Sequence, residues 1–203
     1  MTRDRNRASV IVWSVANETP VSAERTAFLR RLVERARELD GTRLVSAAME
    51  VHKDPADGNT RIVEDPFGAF TDLLSFNEYV GWYDGNIDRI GKVEWRLKYD
   101  KPVVITEFGA DALQGLHGPE TARFTEEYQA ALYRETIGML RKLPHFRGTT
   151  PWILCDFRSP KRNLPQVQDG WNRKGLVGEN GIKKSAFFVL KGFYDEMAGA
   201  TKP

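Results

Sequence analysis

The chain has 203 residues, of which 41% are hydrophobic and 29% charged, an ordinary composition for one globular domain. Thirty lysines and arginines against 28 aspartates and glutamates leave a net charge of +2, which speaks against nucleic acid as a partner, since that needs a clustered basic face. No apolar run is long enough for a transmembrane helix, so no membrane partner is expected, and the single cysteine excludes an internal disulfide or a multi-cysteine metal site. His52, His117 and His145 lie far apart and form no ligand spacing, so neither a metal nor a cofactor is expected. The polar, basic start Met1–Arg7 has no signal-peptide cleavage region, and the expected compartment is the cytoplasm. Twenty-two aromatic residues suit a sugar site, but equally an ordinary core.

In chain order, Ser9–Val15 is a short β-branched run and reads as a buried strand, stopped by Asn17-Glu18-Thr19-Pro20. A helix over 22–39 follows from the spacing of Phe28, Leu29, Leu32, Val33, Ala36 and Leu39, with Ser22 as its cap and Asp40-Gly41 as its end. Arg43–Met49 reads as a strand, the Asp-, Gly- and Pro-rich stretch to Pro66 as a loop, and Asp72–Asn77 as a third strand. Helical spacing is then read over Ile87–Tyr99, a strand over Lys101–Glu107 and a long helix over Ala122–Leu143. Gly148–Leu154 reads as a fifth strand containing Trp152, Asp156–Trp171 as a polar loop and Lys184–Met197 as a final helix. Strands alternating with helices predict a parallel sheet with covering helices, the α/β class.

In parallel α/β folds ligands lie at the carboxyl ends of the strands. The first strand ends in Asn17-Glu18, the third in Asn77-Glu78-Tyr79 and the fourth in Glu107. Two carboxylates at strand ends are the equipment of glycoside hydrolysis. Helix capping or a solvated loop accounts for each one singly, and competes with that reading. Asp111 reads as readily as a helix cap, His117 as a loop residue, and Cys155 as an inert core residue.

Ser9-Val10-Ile11-Val12-Trp13-Ser14-Val15-Ala16-Asn17-Glu18 resembles the acid/base strand of glycoside hydrolase family 2. Thr106-Glu107-Phe108-Gly109-Ala110-Asp111 resembles the family's nucleophile strand, and Asn77-Glu78-Tyr79-Val80-Gly81-Trp82-Tyr83 its N-x-Y-x-G-W-Y segment. Gly115-Leu116-His117, Glu126-Glu127-Tyr128-Gln129 and Lys184-Ser185-Ala186-Phe187 continue the likeness, which spans nearly the whole chain. Asn172-Arg173-Lys174-Gly175 is similar to the N-x-K signature of the family's β-glucuronidases. An ammonium beside an amide donor suits the carboxylate that a glucuronide has and a neutral hexose lacks. Those enzymes usually carry an arginine four residues before that asparagine; here it is Gln168, with Arg158 and Arg162 as substitutes to be placed.

The resemblance implies a (β/α)8 barrel, with residues 1–203 as its C-terminal half, about strands 4 to 8. The first barrel strands and the family's sandwich domains would be absent, the sheet would have open edges, and the chain would be a partial product. It further implies a retaining hydrolase of terminal β-D-glucuronides. Glu18 would be the acid/base and Glu107 the nucleophile, with carboxyl groups about 5–5.5 Å apart. Asn17 would bond the sugar 2-hydroxyl, Tyr79 and Tyr83 would orient Glu107 or border the sugar, Trp152 would wall it, and Asn172 and Lys174 would hold the carboxylate. The partner implied is a carbohydrate, a β-glucuronide or a β-galactoside, and a homo-oligomer is compatible with it. A β-galactosidase, or an inactive remnant that only binds sugar, are the alternative readings.

Overall fold

The computed structural model describes residues 1–200, which form two compact units. The first comprises residues 1–78, 93–106 and 143–149. Its main elements are β1 (Val12–Asn17), α1 (Ala23–Leu39), β2 (Leu44–Met49), β3 (His52–Lys53), β4 (Thr60–Val63), β5 (Leu74–Asn77), β6 (Glu94–Leu97), β7 (Val103–Glu107, its last residue opening the next segment) and β8 (Phe146–Thr149). Five strands make one sheet in the order β1-β2-β5-β7-β8, and the pairs β1–β2, β2–β5 and β7–β8 are parallel.

The Ser22 hydroxyl accepts the Arg25 amide and starts α1, which buries Leu29, Val33 and Ala36. Burying Leu29 and Val33 contributes about 1.5–3 kcal/mol each. Asp40 ends the helix and ties it to β1 by accepting from the Trp13 indole at 2.9 Å. Arg25 grips Asp65 with both guanidinium arms, at 2.6 and 2.7 Å. The α/β alternation read from the sequence is present.

Three readings are corrected. The stretch read as a loop to Pro66 carries β3 and β4, which join β6 in a second, three-stranded sheet. The helix read over Ile87–Tyr99 is a 3-10 helix at Ile87–Lys92 followed by β6, because Glu94–Leu97 pairs in parallel with Thr60–Val63 and Trp95 packs on Phe76, ring centroids 4.9 Å apart. Alternation of period two, fixed by a partner strand, overrides an incidental helical spacing. The strand read as buried, β1, is only half-buried and forms one edge of its sheet.

The second unit comprises residues 79–92, 107–142 and 150–200. It is built on α2 (Glu126–Leu140) and α3 (Ser185–Ala200), which pack together. Thr125 caps α2 by accepting the Tyr128 amide, so the helix starts after the Ala122 read from the sequence. Glu126 accepts from Gly115 N and from Ser185 N, both at 2.8 Å, and so starts α3 as well. Gln129, fully buried, donates to Ala110 O at 2.9 Å.

Three further readings change here. The fifth strand ends at Thr149 rather than running through Leu154, since Pro151 has no N–H for a ladder, and Trp152 lies beyond it. The segment read as a polar loop closes on itself as a hairpin, β9 (Phe157–Arg158) pairing antiparallel with β10 (Trp171–Asn172). Cys155 is exposed, not in the core: successive residues of extended chain face opposite ways, and here Asp156 takes the inward side.

Candidate active site

In the first unit, the carboxyl ends of β1, β5 and β7 meet on one amide. Asn77, buried, donates from Nδ2 to Asn17 Oδ1 at 3.0 Å and to Glu18 Oε1 at 2.8 Å, while its Oδ1 accepts the Thr106 hydroxyl at 2.7 Å. The hydroxyl can only donate to the amide oxygen here, which turns the NH₂ toward the two acceptors. Asn17 keeps its own Nδ2 as an outward donor. Asn77 and Thr106 were not among the candidate residues; their position at strand ends was the available signal.

Glu18 is in the left-handed region, at φ 48°, just after a register irregularity between Ser14 and Asn17. A non-glycine residue there costs about 1–2 kcal/mol. Glu18→Gly is therefore expected to be more stable than Glu18→Ala by about 1 kcal/mol in urea denaturation, the reverse of the usual order. An alanine variant as stable as the glycine one would show that the backbone is unstrained.

In the second unit, the Tyr79 hydroxyl donates to Glu107 Oε2 at 2.8 Å, and the rings of Tyr79 and Tyr83 lie 5.1 Å apart. Gly109 follows at φ 144°, where a Cβ would stand 2.8 Å from Trp152 O, so only glycine lets this loop lie against Trp152. Trp152 N donates to Phe108 O at 2.9 Å, and its ring meets Phe157 edge-on.

Asp111 is fully buried and caps no helix. It accepts the Lys174 ammonium at 2.7 Å and the Gln168 side-chain amide. The same ammonium donates to the Tyr83 hydroxyl at 2.9 Å, and Arg162 Nη2 donates to that hydroxyl at 2.8 Å. Burial pushes the Tyr83 phenol up, but the two cations outweigh it and hold its pKa below the ordinary tyrosine value. Lys174 is only 1% exposed, whereas Tyr83 is 56% exposed. Asn172, also buried, turns its Oδ1 inward to accept the Lys174 amide at 3.0 Å, which braces the turn carrying that lysine. Of the two candidate arginines, Arg162 joins this cluster and Arg158 stacks over the Trp171 ring instead. Among the described residues no group of His, Cys, Asp and Glu is arranged to hold a metal.

The sequence model of the glycosyl hydrolases family 2 TIM barrel domain matches residues 1–199. The chain belongs to glycoside hydrolase family 2. Its parallel strands and covering helices are thus those of the family's β/α barrel domain. It is similar to β-glucuronidase of Rattus norvegicus, 32% identical over 213 residues, covering 98% of this chain and 31% of that protein. β-Glucuronidase of Paenibacillus borealis is 30% identical over 206 residues, covering 97% and 33%. Among solved structures, β-D-glucuronidase of Dictyoglomus thermophilum is 27% identical with a TM-score of 0.75, covering 98% of this chain and 33% of that one. The chain therefore spans about a third of the length of these family 2 relatives.

Proposed function

We propose that this chain carries the catalytic carboxylates of a retaining glycoside hydrolase acting on terminal β-D-glucuronides. The observation behind it is that Glu18 directly follows β1 and Glu107 ends β7, both parallel strands, and that Glu18 accepts from Asn77 and Glu107 from Tyr79, both neutral donors. Glu107 attacks the anomeric carbon as the bond to the leaving oxygen breaks, and Glu18 gives that oxygen its proton. Glu18 then takes a proton from water, whose oxygen attacks the same carbon and releases Glu107. Tyr79, by donating to one oxygen of Glu107, orients the attacking carboxylate. Asn17 directs its amide donor to the sugar, and Trp152 offers an apolar wall.

Selection of an acidic sugar rests on a count of donors and charges. The Tyr83 oxygen accepts twice, from Lys174 and Arg162, so its own hydrogen is left to donate outward. Lys174, Arg162 and Asp111 together leave one positive charge, which a sugar carboxylate neutralises. The name shared by the relatives agrees with this choice. Gln168 is taken up by Asp111, and Arg162 supplies the second cation in its place.

The test is hydrolysis of an aryl β-glucuronide and an aryl β-galactoside in parallel by the full-length protein. Turnover of the glucuronide with clear preference is expected. Preference for the galactoside would move the reading to the neutral-sugar branch, and binding without turnover of either would make this a sugar-binding module.

A further inference from the structure

Lys184 and Asp156 are both fully buried in their side chains and take no part in the chemistry above. All three hydrogens of the Lys184 ammonium are spent: on Ala112 O at 2.6 Å, Asp156 Oδ1 at 2.8 Å and Arg173 O at 2.9 Å. Arg173 O also accepts Ala112 N at 3.0 Å, so two donors pull one carbonyl against residue 112. Asp156 Oδ1 also accepts Gly175 N at 2.9 Å, and a Cβ on Gly175 would fall 2.2 Å from Asp156 N. The lysine and the aspartate thereby lock residues 173–175 onto residue 112. Both halves of the Lys174–Asp111 pair are thereby held: Lys174 lies within the locked segment, and Asp111 directly precedes Ala112.

We infer that Lys184, with Asp156 as its counter-ion, is a positioning residue that sets where the Lys174 ammonium stands relative to Asp111 and Tyr83, and so tunes the preference for an acidic sugar. A buried cation with three fixed oxygen partners is directional in a way that apolar packing is not, and a shift of about 1 Å in a positioned group can cost on the order of 100-fold in rate. The substrate class named here rests on the function proposed above, whereas the positioning itself does not.

The experiment is Lys184→Met in the full-length protein, with Lys184→Met/Asp156→Asn beside it. The double variant removes the Lys184–Asp156 charges together, leaves Arg173, which also meets Asp156 at 3.4 Å, its pair with Glu179, and covers the case in which the single variant fails to fold. In folded variants the ratio of kcat/KM for an aryl β-glucuronide to that for an aryl β-galactoside is expected to fall by about 10-fold or more, mainly through KM for the glucuronide. A purely structural lysine would lower melting temperature and leave that ratio at the wild-type value, which would overturn the inference. A crystal structure of the same variant gives a readout independent of activity. Loss of the Lys174–Asp111 bond supports the inference, and its retention at the present 2.7 Å overturns it. A wild-type protein that fails to hydrolyse the glucuronide would sink the proposed function and leave this structural comparison standing.

Discussion

Replacing Glu107 by glycine is expected to cut turnover of an aryl β-glucuronide by about 10⁴-fold or more, because the proposed covalent step would lose its nucleophile. Loss of rate alone would not assign a role, since any residue lining the sugar can slow the reaction. The stereochemistry of rescue does. With Glu107→Gly, added azide occupies the vacated side and attacks the anomeric carbon directly, displacing the aryl group in one inversion. The product expected is the α-glucuronosyl azide. With Glu18→Ala and a leaving group that needs no protonation, Glu107 still forms the covalent intermediate. Azide then attacks from the opposite face in place of the water that Glu18 would have activated. Two inversions give the β-azide. Product configuration read by NMR therefore separates the two carboxylates. The same anomer from both variants, or undiminished turnover by Glu107→Gly, would dismiss the assignment.

The strand ends carrying these carboxylates were legible in the sequence because β-branched runs such as Val103-Val104-Ile105 stop abruptly at a polar residue. What held each carboxylate was not. Asn77 meets Glu18 across 59 residues and Tyr79 meets Glu107 across 28, through pairings that depend on strand order. The Asp111–Lys174 pair is 63 residues apart, and Asp111 reads locally as a helix cap. Asp111 has no local signal for its role: only the path of the chain after β10 brings a cation to it. Arg162 was visible as a candidate, but its place depended on a hairpin hidden in a stretch without periodicity. The misreading of 87–99 has the same origin, since apolar residues at helical spacing also suit a short 3-10 turn followed by a four-residue strand, and pairing with β4 decided between them.

Lys174→Ala and Arg162→Ala are expected to reduce the glucuronide preference alike while differing in stability. Removing the Lys174 ammonium leaves Asp111 buried without its counter-ion, a loss of about 3–5 kcal/mol. Arg162 is half-exposed and its contact is with a neutral hydroxyl, so its removal is expected to change stability by less than about 1 kcal/mol. Each deletion takes the cluster from one positive charge to none. A charge-assisted hydrogen bond is worth about 1.5–3 kcal/mol, which corresponds to about 10- to 100-fold in kcat/KM for the glucuronide. The galactoside, with no carboxylate to hold, is expected to change much less. Equal losses on both substrates would refute a role in reading the carboxylate. The variant Asp111→Asn/Lys174→Met then separates net charge from a specific ammonium contact. It keeps the single positive charge, now on Arg162 alone, and removes the buried pair without stranding either partner. If net charge governs selection, it recovers part of the glucuronide preference that Lys174→Ala loses. If the ammonium itself must touch the carboxylate, it recovers stability and none of the preference.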